Sequence, residues 1–256
     1  MGLIGLSAGM LCGALGIGGG VIIVPALNLL LGLPFRQAVA LSLGNIVAVS
    51  LSSSMGYTKR GLVNFKVGLI LELASVTGAV SGGIISSSIN ENLLKTILGI
   101  FLILSGLRLM LRREYEARDY NPVTSNLHHN PEFYRMVLAL IGSFIAGLLS
   151  ALLGIGGGVL KIPIILMILQ LPVKEAVATS AFMVGITALS GLSIYIFRGY
   201  LKFNHFLPLV TGGIIGALIG LKINDIAKPV YLRLALGIIL VAVGIRLIWF
   251  IKFIIN

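Results

Sequence analysis

The chain has 256 residues, of which 57% are hydrophobic and 11% are charged, and its formal net charge is +11. Soluble domains carry roughly 25% charged residues, so this composition excludes a water-soluble globular protein. Apolar stretches of about 20 residues, the length that crosses a hydrocarbon core of roughly 30 Å, recur along the chain. The sequence therefore predicts an all-α, multi-pass protein of the cell (cytoplasmic) membrane. Its positive charge is explained by cationic loops beside anionic lipid, and no nucleic-acid partner is expected.

The first predicted element is an apolar stretch, Met1 to Leu33, that contains "GALGIGGGVIIVP". As one helix it would be about 50 Å long, much longer than the membrane core. Four glycines within five residues also make a poor helix interior, because each glycine costs roughly 1 kcal/mol relative to alanine. We therefore expect the chain to turn back at the glycines. It forms either two short crossings or a re-entrant hairpin whose tip lies inside the membrane.

Three simpler spans follow, at roughly 36–57, 66–88 and 92–111, and then the polar run "RREYEARDYNPVTSNLHHNPE". The same order then recurs without a gap, with counterparts 138 positions apart (Gly16 and Gly154, for example). It comprises a glycine-broken stretch at 136–171 and spans near 174–195, 204–226 and 230–250. We predict a first transmembrane repeat (1–111), a linker (112–134) and a second repeat (135–256), which together form one transport domain.

The relation between the two repeats depends on the glycine-broken stretch. A hairpin or two short crossings give an odd number of crossings per repeat, which inverts the second repeat relative to the first. A single kinked crossing would instead give parallel repeats. The distribution of lysine and arginine favours a cytoplasmic linker in both cases and does not choose between them. Because of the length of the stretch, we predict inverted repeats, each with a glycine-broken hairpin and three transmembrane helices.

The glycine phrase is not typical of a phosphate-binding loop, which would need Gly-Lys-Ser or Gly-Lys-Thr where Val21 and Val159 follow the glycines. Glycines also serve close helix packing, and that explanation suits isolated ones. Unwound backbone at membrane depth, in contrast, is tolerated where it lines a cavity, and a helix that restarts there presents unpaired amides to an anion. We therefore predict that the breaks line a substrate site, with Gly16, Gly18, Gly19, Gly20, Gly154, Gly156, Gly157 and Gly158.

Two ionisable residues interrupt apolar runs. Lys161 has Ile23 as its counterpart, so the repeat itself does not require a cation there. It is a candidate ligand for an anion, and the alternative is a side chain that extends to the membrane surface. Glu72 has Val210 as its counterpart. It is a candidate for coupling to an ion, a partner for Lys161, or a residue of the nearby loop edge.

Hydroxyl and amide groups follow both hairpins. The candidates for replacing the hydration shell of an anion are Ser42, Asn45, Thr179 and Ser180. Serine and threonine also bond back to their own helix, which is the alternative for each hydroxyl. Tyr57 and Tyr195, each three residues before an arginine, are predicted to be anchors at the membrane surface.

The chain resembles the TauE/SafE sulfite-exporter family of membrane permeases. The resemblance depends on "GALGIGGGVIIVPAL" and "ALLGIGGGVLKIPII", on "LPFRQAVALS" and "LPVKEAVATS", and on "RGLVNF" and "RGYLKF". It implies a secondary transporter of a small sulfur-containing anion, such as sulfite, sulfoacetate or another organosulfonate. By this interpretation the anion binds between the two breaks and moves by alternating access, with no enzyme activity, catalytic residue, metal or cofactor. The alternative is a passive anion channel. Proton or Na⁺ coupling and a homodimer stay open.

Overall fold

A computed structural model of the chain describes residues 1–15, 18–111, 133–226, 237–238 and 240–249. The described residues form helices and no strand. Five helices are long and apolar enough to cross a membrane. These findings confirm the prediction of an all-α, multi-pass membrane protein. The helices are α1 (Gly2–Leu15), α2 (Gly20–Leu29), α3 (Phe35–Lys59), α4 (Phe65–Ile85), α5 (Glu91–Leu111), α6 (Phe133–Leu153), α7 (Gly158–Pro163), which runs into a π-helical turn (Ile164–Ile168), α8 (Val173–Phe197), α9 (Phe203–Ile226) and α10 (Leu240–Trp249).

The first apolar stretch is a hairpin of two short helices. α1 has 14 residues and α2 has 10, which corresponds to about 21 and 15 Å, less than the membrane core. Gly18 and Gly19 have φ values of 94° and 66°, in the left-handed region that favours glycine. Gly19 lies beside the Ala8 carbonyl oxygen, 2.6 Å from where a Cβ would stand. The chain thus turns back alongside the middle of α1.

The second apolar stretch turns in the same way. Gly154, Gly156 and Gly157 have φ values of 70°, 79° and 72°. A Cβ on Gly157 would lie 3.1 Å from the Ala146 carbonyl oxygen, and Ala146 is the counterpart of Ala8. The returning arm differs from that of the first repeat, because α7 continues after Pro163 as a π-helical turn.

Glycines allow the two repeats to pack tightly against each other. A Cβ on Gly9 of α1 would collide with the Gly213 carbonyl oxygen of α9. A Cβ on Gly147 of α6 would collide with the Ser75 carbonyl oxygen of α4. These two contacts are equivalent, since Gly147 and Gly213 are the counterparts of Gly9 and Ser75. The first helix of each repeat therefore packs on a helix of the other repeat.

Two pairs of equivalent helices run antiparallel where the repeats meet. The Ser50 hydroxyl of α3 donates to the Ala181 carbonyl of α8, and Leu43 contacts Gly191 further along α8. The contacts of α5 with α10 show the same order: Gly99 lies by Gly244, and Gly106 lies by Gly237.

Two of the sequence-based segments lie partly outside the described residues. Most of the predicted linker, 112–132, lies outside the described residues, and α6 begins at Phe133, within the last part of that predicted linker. The last predicted span, 230–250, is described at 237–238 and 240–249, where the chain is helical.

Candidate functional site

The two glycine breaks lie against each other in the interior of the protein. A Cβ on Gly18 would stand 3.2 Å from the Ile155 carbonyl oxygen. A Cβ on Gly156 would stand 3.1 Å from both Ile46 and Val184, which are counterparts of each other and fully buried. The two breaks therefore meet in the interior, where the two repeats contact each other. Gly16 lies outside the described residues.

A serine hydroxyl bonds directly to one break. Ser42 Oγ donates to the Gly154 carbonyl oxygen over 2.6 Å, and a Cβ on Gly20 would stand 2.8 Å from Ser42 Oγ. Ser42 thus joins α3 to both hairpins. Ser180 is its counterpart and is also fully buried. The Ser180 hydroxyl has no hydrogen-bond partner among the described residues.

The other two polar candidates lie in different places. Asn45 is 1% exposed and lies against Gly213, where a Cβ would collide with its amide oxygen. Its amide oxygen and nitrogen have no hydrogen-bond partner among the described residues. Thr179 Oγ1 accepts a 3.0 Å hydrogen bond from the Asn64 N–H at the start of α4. Asn64 also caps α4, since its side chain accepts from the Val67 N–H, and Thr179 therefore positions this helix start.

Lys161 forms a buried ion pair with Glu72. The Lys161 Nζ lies 2.8 Å from Glu72 Oε2, and the two side chains are 0% and 4% exposed. Lys161 therefore does not extend to the membrane surface, and Glu72 does not belong to the loop edge. Burial of an unpaired charge is costly, and the pair offsets that cost. A bound anion was predicted to balance the positive charge of Lys161. The Glu72 carboxylate supplies that negative charge instead.

Two hydroxyl residues complete the pair. Thr187 Oγ1 accepts a hydrogen bond from Lys161 Nζ and donates to Glu72 Oε1. Ser75 Oγ lies 2.9 Å from Thr187 Oγ1. We call Lys161, Glu72, Thr187 and Ser75 the polar cluster. Thr187 is two positions from Gly185, the middle residue of the 25-residue helix α8, so the cluster lies near the middle of the membrane.

Thr187 and Ser75 are not among the site residues predicted from the sequence. A signal was present in the comparison of the repeats. The counterparts of Thr187 and Ser75 are Val49 and Gly213, just as those of Lys161 and Glu72 are Ile23 and Val210. Each of these four polar residues has an apolar residue or a glycine as its counterpart. The four polar residues come together at one place in the fold.

The two tyrosines are not surface anchors, contrary to the sequence-based prediction. Tyr57 and Tyr195 are 3% and 1% exposed. Tyr57 donates to the Gly13 carbonyl over 3.0 Å, and Tyr195 donates to the Ala151 carbonyl over 2.9 Å. These carbonyls lie near the ends of α1 and α6, where the last turn has no intrahelical partners. The tyrosines therefore support the helix ends that precede the breaks.

Comparison with known proteins identifies the family. The family model described as "Sulfite exporter TauE/SafE" matches residues 1–247. The chain belongs to the TauE/SafE family. It is 30% identical to the "Probable membrane transporter protein YunE" of Bacillus subtilis, over 96% of each chain. It is also 30% identical to a "Probable membrane transporter protein" of Methanocaldococcus jannaschii, over 95% of this chain and 92% of the relative. No solved structure matches the chain.

Membership of the TauE/SafE family confirms the resemblance seen in the sequence. The family is one of membrane transporters, so the protein is a multi-pass transporter with a small-molecule substrate and a lipid bilayer around it. The relatives carry names of transporters and not of enzymes.

Proposed function

We propose that the protein is a secondary transporter that moves a small sulfur-containing anion by alternating access, with the anion bound between the glycine breaks and close to Lys161. The observation that carries the proposal is that both breaks meet in the interior, with a buried cation one helical turn beyond the second break. The substrate class follows from the description of the family, which is that of a sulfite exporter.

The breaks offer the groups that an anion needs. α2 and the returning helix Gly158–Ile168 both begin at a break. The first amide groups of a helix have no intrahelical acceptor, and the helix dipole places partial positive charge there. The N-termini of broken helices at mid-membrane are a recurrent binding device of secondary transporters. Ser42 lies beside both breaks and donates to the Gly154 carbonyl; its hydroxyl can turn from that carbonyl to a bound anion.

The orientation of equivalent helices supports inverted repeats. α3 and α8 are counterparts, and their contacts at Ser50–Ala181 and Leu43–Gly191 run in opposite directions. The α5 and α10 contacts have the same antiparallel order. Inverted repeats provide two conformations of similar energy that open to opposite sides, which is the basis of alternating access.

The close packing at the breaks supports a carrier over a channel. Gly18 lies against Ile155, and Ile46 and Val184 cover Gly156. A conducting filter needs an open path for the ion between adjacent sites. A carrier passes through a state in which the site is closed to both sides, and the tight contact of the breaks fits such a state.

The test is uptake into proteoliposomes of five radiolabelled sulfur compounds: the anions sulfite, sulfoacetate, thiosulfate and sulfate, and the zwitterion taurine. We expect saturable uptake of at least one, and stimulation by the same anion inside. The double variant Glu72→Val with Lys161→Ile carries the counterpart residues, as at Val210 and Ile23, and should be inactive. The matched control Lys202→Gln, at an exposed position before α9, should retain activity. Uptake that does not saturate and is not stimulated from inside would establish a channel; no uptake of any of the five would overturn the proposal.

A further inference from the structure

We propose that the buried pair of Lys161 and Glu72 makes this carrier a proton–anion symporter. Glu72 takes up one proton from water when Lys161 leaves Glu72 and binds the anion. The inference rests on the proposed function and adds the coupling ion, the residue that carries it and the stoichiometry of one proton for each anion.

The first step is a charge balance. Lys161 and Glu72 together are neutral, and both are buried. An anion bound beside this pair would bring an uncompensated negative charge into the interior, which is costly at membrane depth. If a proton from water binds Glu72 Oε2 at the same time, the charges of Lys161, protonated Glu72 and the anionic group held by Lys161 again sum to zero, provided that this group carries one negative charge. The low-cost loaded state therefore contains both the proton and the anion.

The second step is the exchange of hydrogen bonds. On protonation, the bond from Lys161 Nζ to Glu72 Oε2 is lost, and Nζ donates instead to an oxygen of the anion. Thr187 can follow this change, because its hydroxyl has two acceptors within reach: Glu72 Oε1 and, over 3.1 Å, the Met183 carbonyl of the preceding turn. The new Glu72 Oε2–H donates to a second oxygen of the anion, so every buried donor in the exchange keeps an acceptor and the change of partner has no large desolvation cost.

The third step concerns hydroxyl groups next to the pair. α6 packs on Ser75 through Gly147. Ser143 and Ser150 lie four positions before and three after Gly147, on the same face of α6. Both are fully buried, and their hydroxyls have no hydrogen-bond partner among the described residues. Ser150 also lies beside Gly157 at the second break. These hydroxyls are available to the oxygens of an anion held by Lys161.

The polar cluster is not required by the architecture of the fold. The equivalent place, where the first repeat contributes Ile23 and Val49 and the second contributes Val210, is apolar, and Ile23 is fully buried there. The fold therefore accepts apolar side chains at this point. Buried ion pairs are also often no more stabilising than apolar side chains of similar volume. An ion pair at only one of two equivalent places is better explained by function than by stability.

Glu72 has one neighbour that can control its proton. Lys161 is the ionisable group that contacts it among the described residues of the helices that pack around it. The other ionisable groups on α4, α6 and α8 lie in end turns: Lys66, Tyr134, Arg135, Lys174, Glu175 and Tyr195, the last of which donates to Ala151.

The experiment measures sulfoacetate uptake with the membrane potential held at zero and the pH set to 6 outside and 8 inside. One proton for each anion allows up to about 100-fold accumulation, because each pH unit is worth a factor of ten. Glu72→Gln keeps Lys161 free of its counter-charge. It should exchange sulfoacetate but accumulate it only about onefold, that is, to equilibrium. The matched control Glu175→Gln should accumulate it like the wild type.

Three outcomes are informative. Loss of gradient-driven accumulation in Glu72→Gln alone supports the inference. Accumulation by Glu72→Gln that still follows the pH gradient, or that follows a Na⁺ gradient in the wild type, overturns the inference and leaves the proposed function standing. If the wild type takes up one of the other four compounds and not sulfoacetate, that compound is used in its place; no uptake of any of the five overturns the proposed function and, with it, the inference.

A second measurement does not depend on the folding of a variant. Sulfoacetate is added to the wild-type protein in weakly buffered detergent solution, and an indicator dye reports the protons taken up. We expect about one proton for each anion bound. Binding without proton uptake would refute the symport mechanism.

Thr187 acts as a positioning residue here: Thr187→Val should reduce the pH-driven accumulation, and Thr187→Ser, which restores the hydroxyl, should rescue it.

Discussion

The buried ion pair allows a stability prediction that tests whether it is architectural. Lys161→Ile removes the charged hydrogen bonds to Glu72 and Thr187. Each such bond is worth about 1.5–3 kcal/mol, so the expected loss is roughly 3–6 kcal/mol. This agrees with the loss of about 3–5 kcal/mol found when one partner of a buried pair is removed. Glu72→Val should cost a similar amount, because it leaves the lysine unpaired.

The double variant should behave differently from the sum of the single ones. Glu72→Val with Lys161→Ile leaves no buried charge, and it copies the counterpart side chains, Val210 and Ile23, that the fold already accommodates at the equivalent place. We expect its free energy of unfolding to lie within about 1 kcal/mol of the wild type, or above it. The four proteins form a double-mutant cycle in which the singles are destabilised and the double is restored.

The assay is reversible unfolding in mixed detergent micelles, followed by far-UV circular dichroism at one pH for all four proteins. The singles give the cost of an uncompensated charge, and the double gives the cost of losing the pair. A double variant that is as unstable as either single would refute the reasoning, because the pair would then be holding the fold together.

Two further predictions concern packing and orientation. Gly9→Ala should destabilise the protein by about 1–3 kcal/mol, since its Cβ would collide with a carbonyl oxygen of α9. Gly2→Ala on the same helix, with its nearest atom 3.5 Å from the new Cβ, should be neutral or stabilising by up to about 1 kcal/mol; equal melting temperatures would contradict this. In a Cys12→Ala background, Lys59→Cys and Phe197→Cys should react with an impermeant maleimide from opposite sides of the membrane. Labelling of both from the same side would rule out inverted repeats.

Much of the fold could be predicted from apolar length and glycine position. The stretch from Met1 to Leu33 was too long for one crossing, and its glycines marked where the chain turns back at Gly18 and Gly19. The simple spans were found to within a few residues, as for α3 at Phe35–Lys59. Such features are local, because a bilayer sets the length of a helix and a left-handed backbone favours glycine.

The polar cluster could be predicted only in part. Lys161 and Glu72 were noticed because a charge inside an apolar run is rare, and their pairing was one of the alternatives considered. Thr187 and Ser75 were missed because a hydroxyl inside a transmembrane helix is common and usually bonds to its own helix. What distinguishes them is the contact between α4 and α8, which depends on the tertiary arrangement and not on local sequence.

The positions of the two tyrosines could not be predicted from the sequence. Tyr57 and Tyr195 stand next to basic residues at the ends of spans, a pattern typical of membrane surfaces. Their hydroxyls instead reach carbonyls 44 positions earlier in the chain. The sequence pattern cannot separate these cases, because the decisive partner is the end of a short helix inside the membrane, and its depth follows from the hairpin.

The packing of α1 on α9 has a consequence for how the protein is made. Gly13 lies against Ala217, about 200 positions later in the chain. At a synthesis rate of about 5–20 residues per second, α1 leaves the ribosome roughly 10–40 s before its partner exists. α4 and α6 form the equivalent contact much sooner, since Ser75 and Gly147 are closer in sequence. During biogenesis the glycine face of α1 therefore lies in the membrane without its packing partner until α9 is synthesised. The contact that covers the first hairpin forms only then.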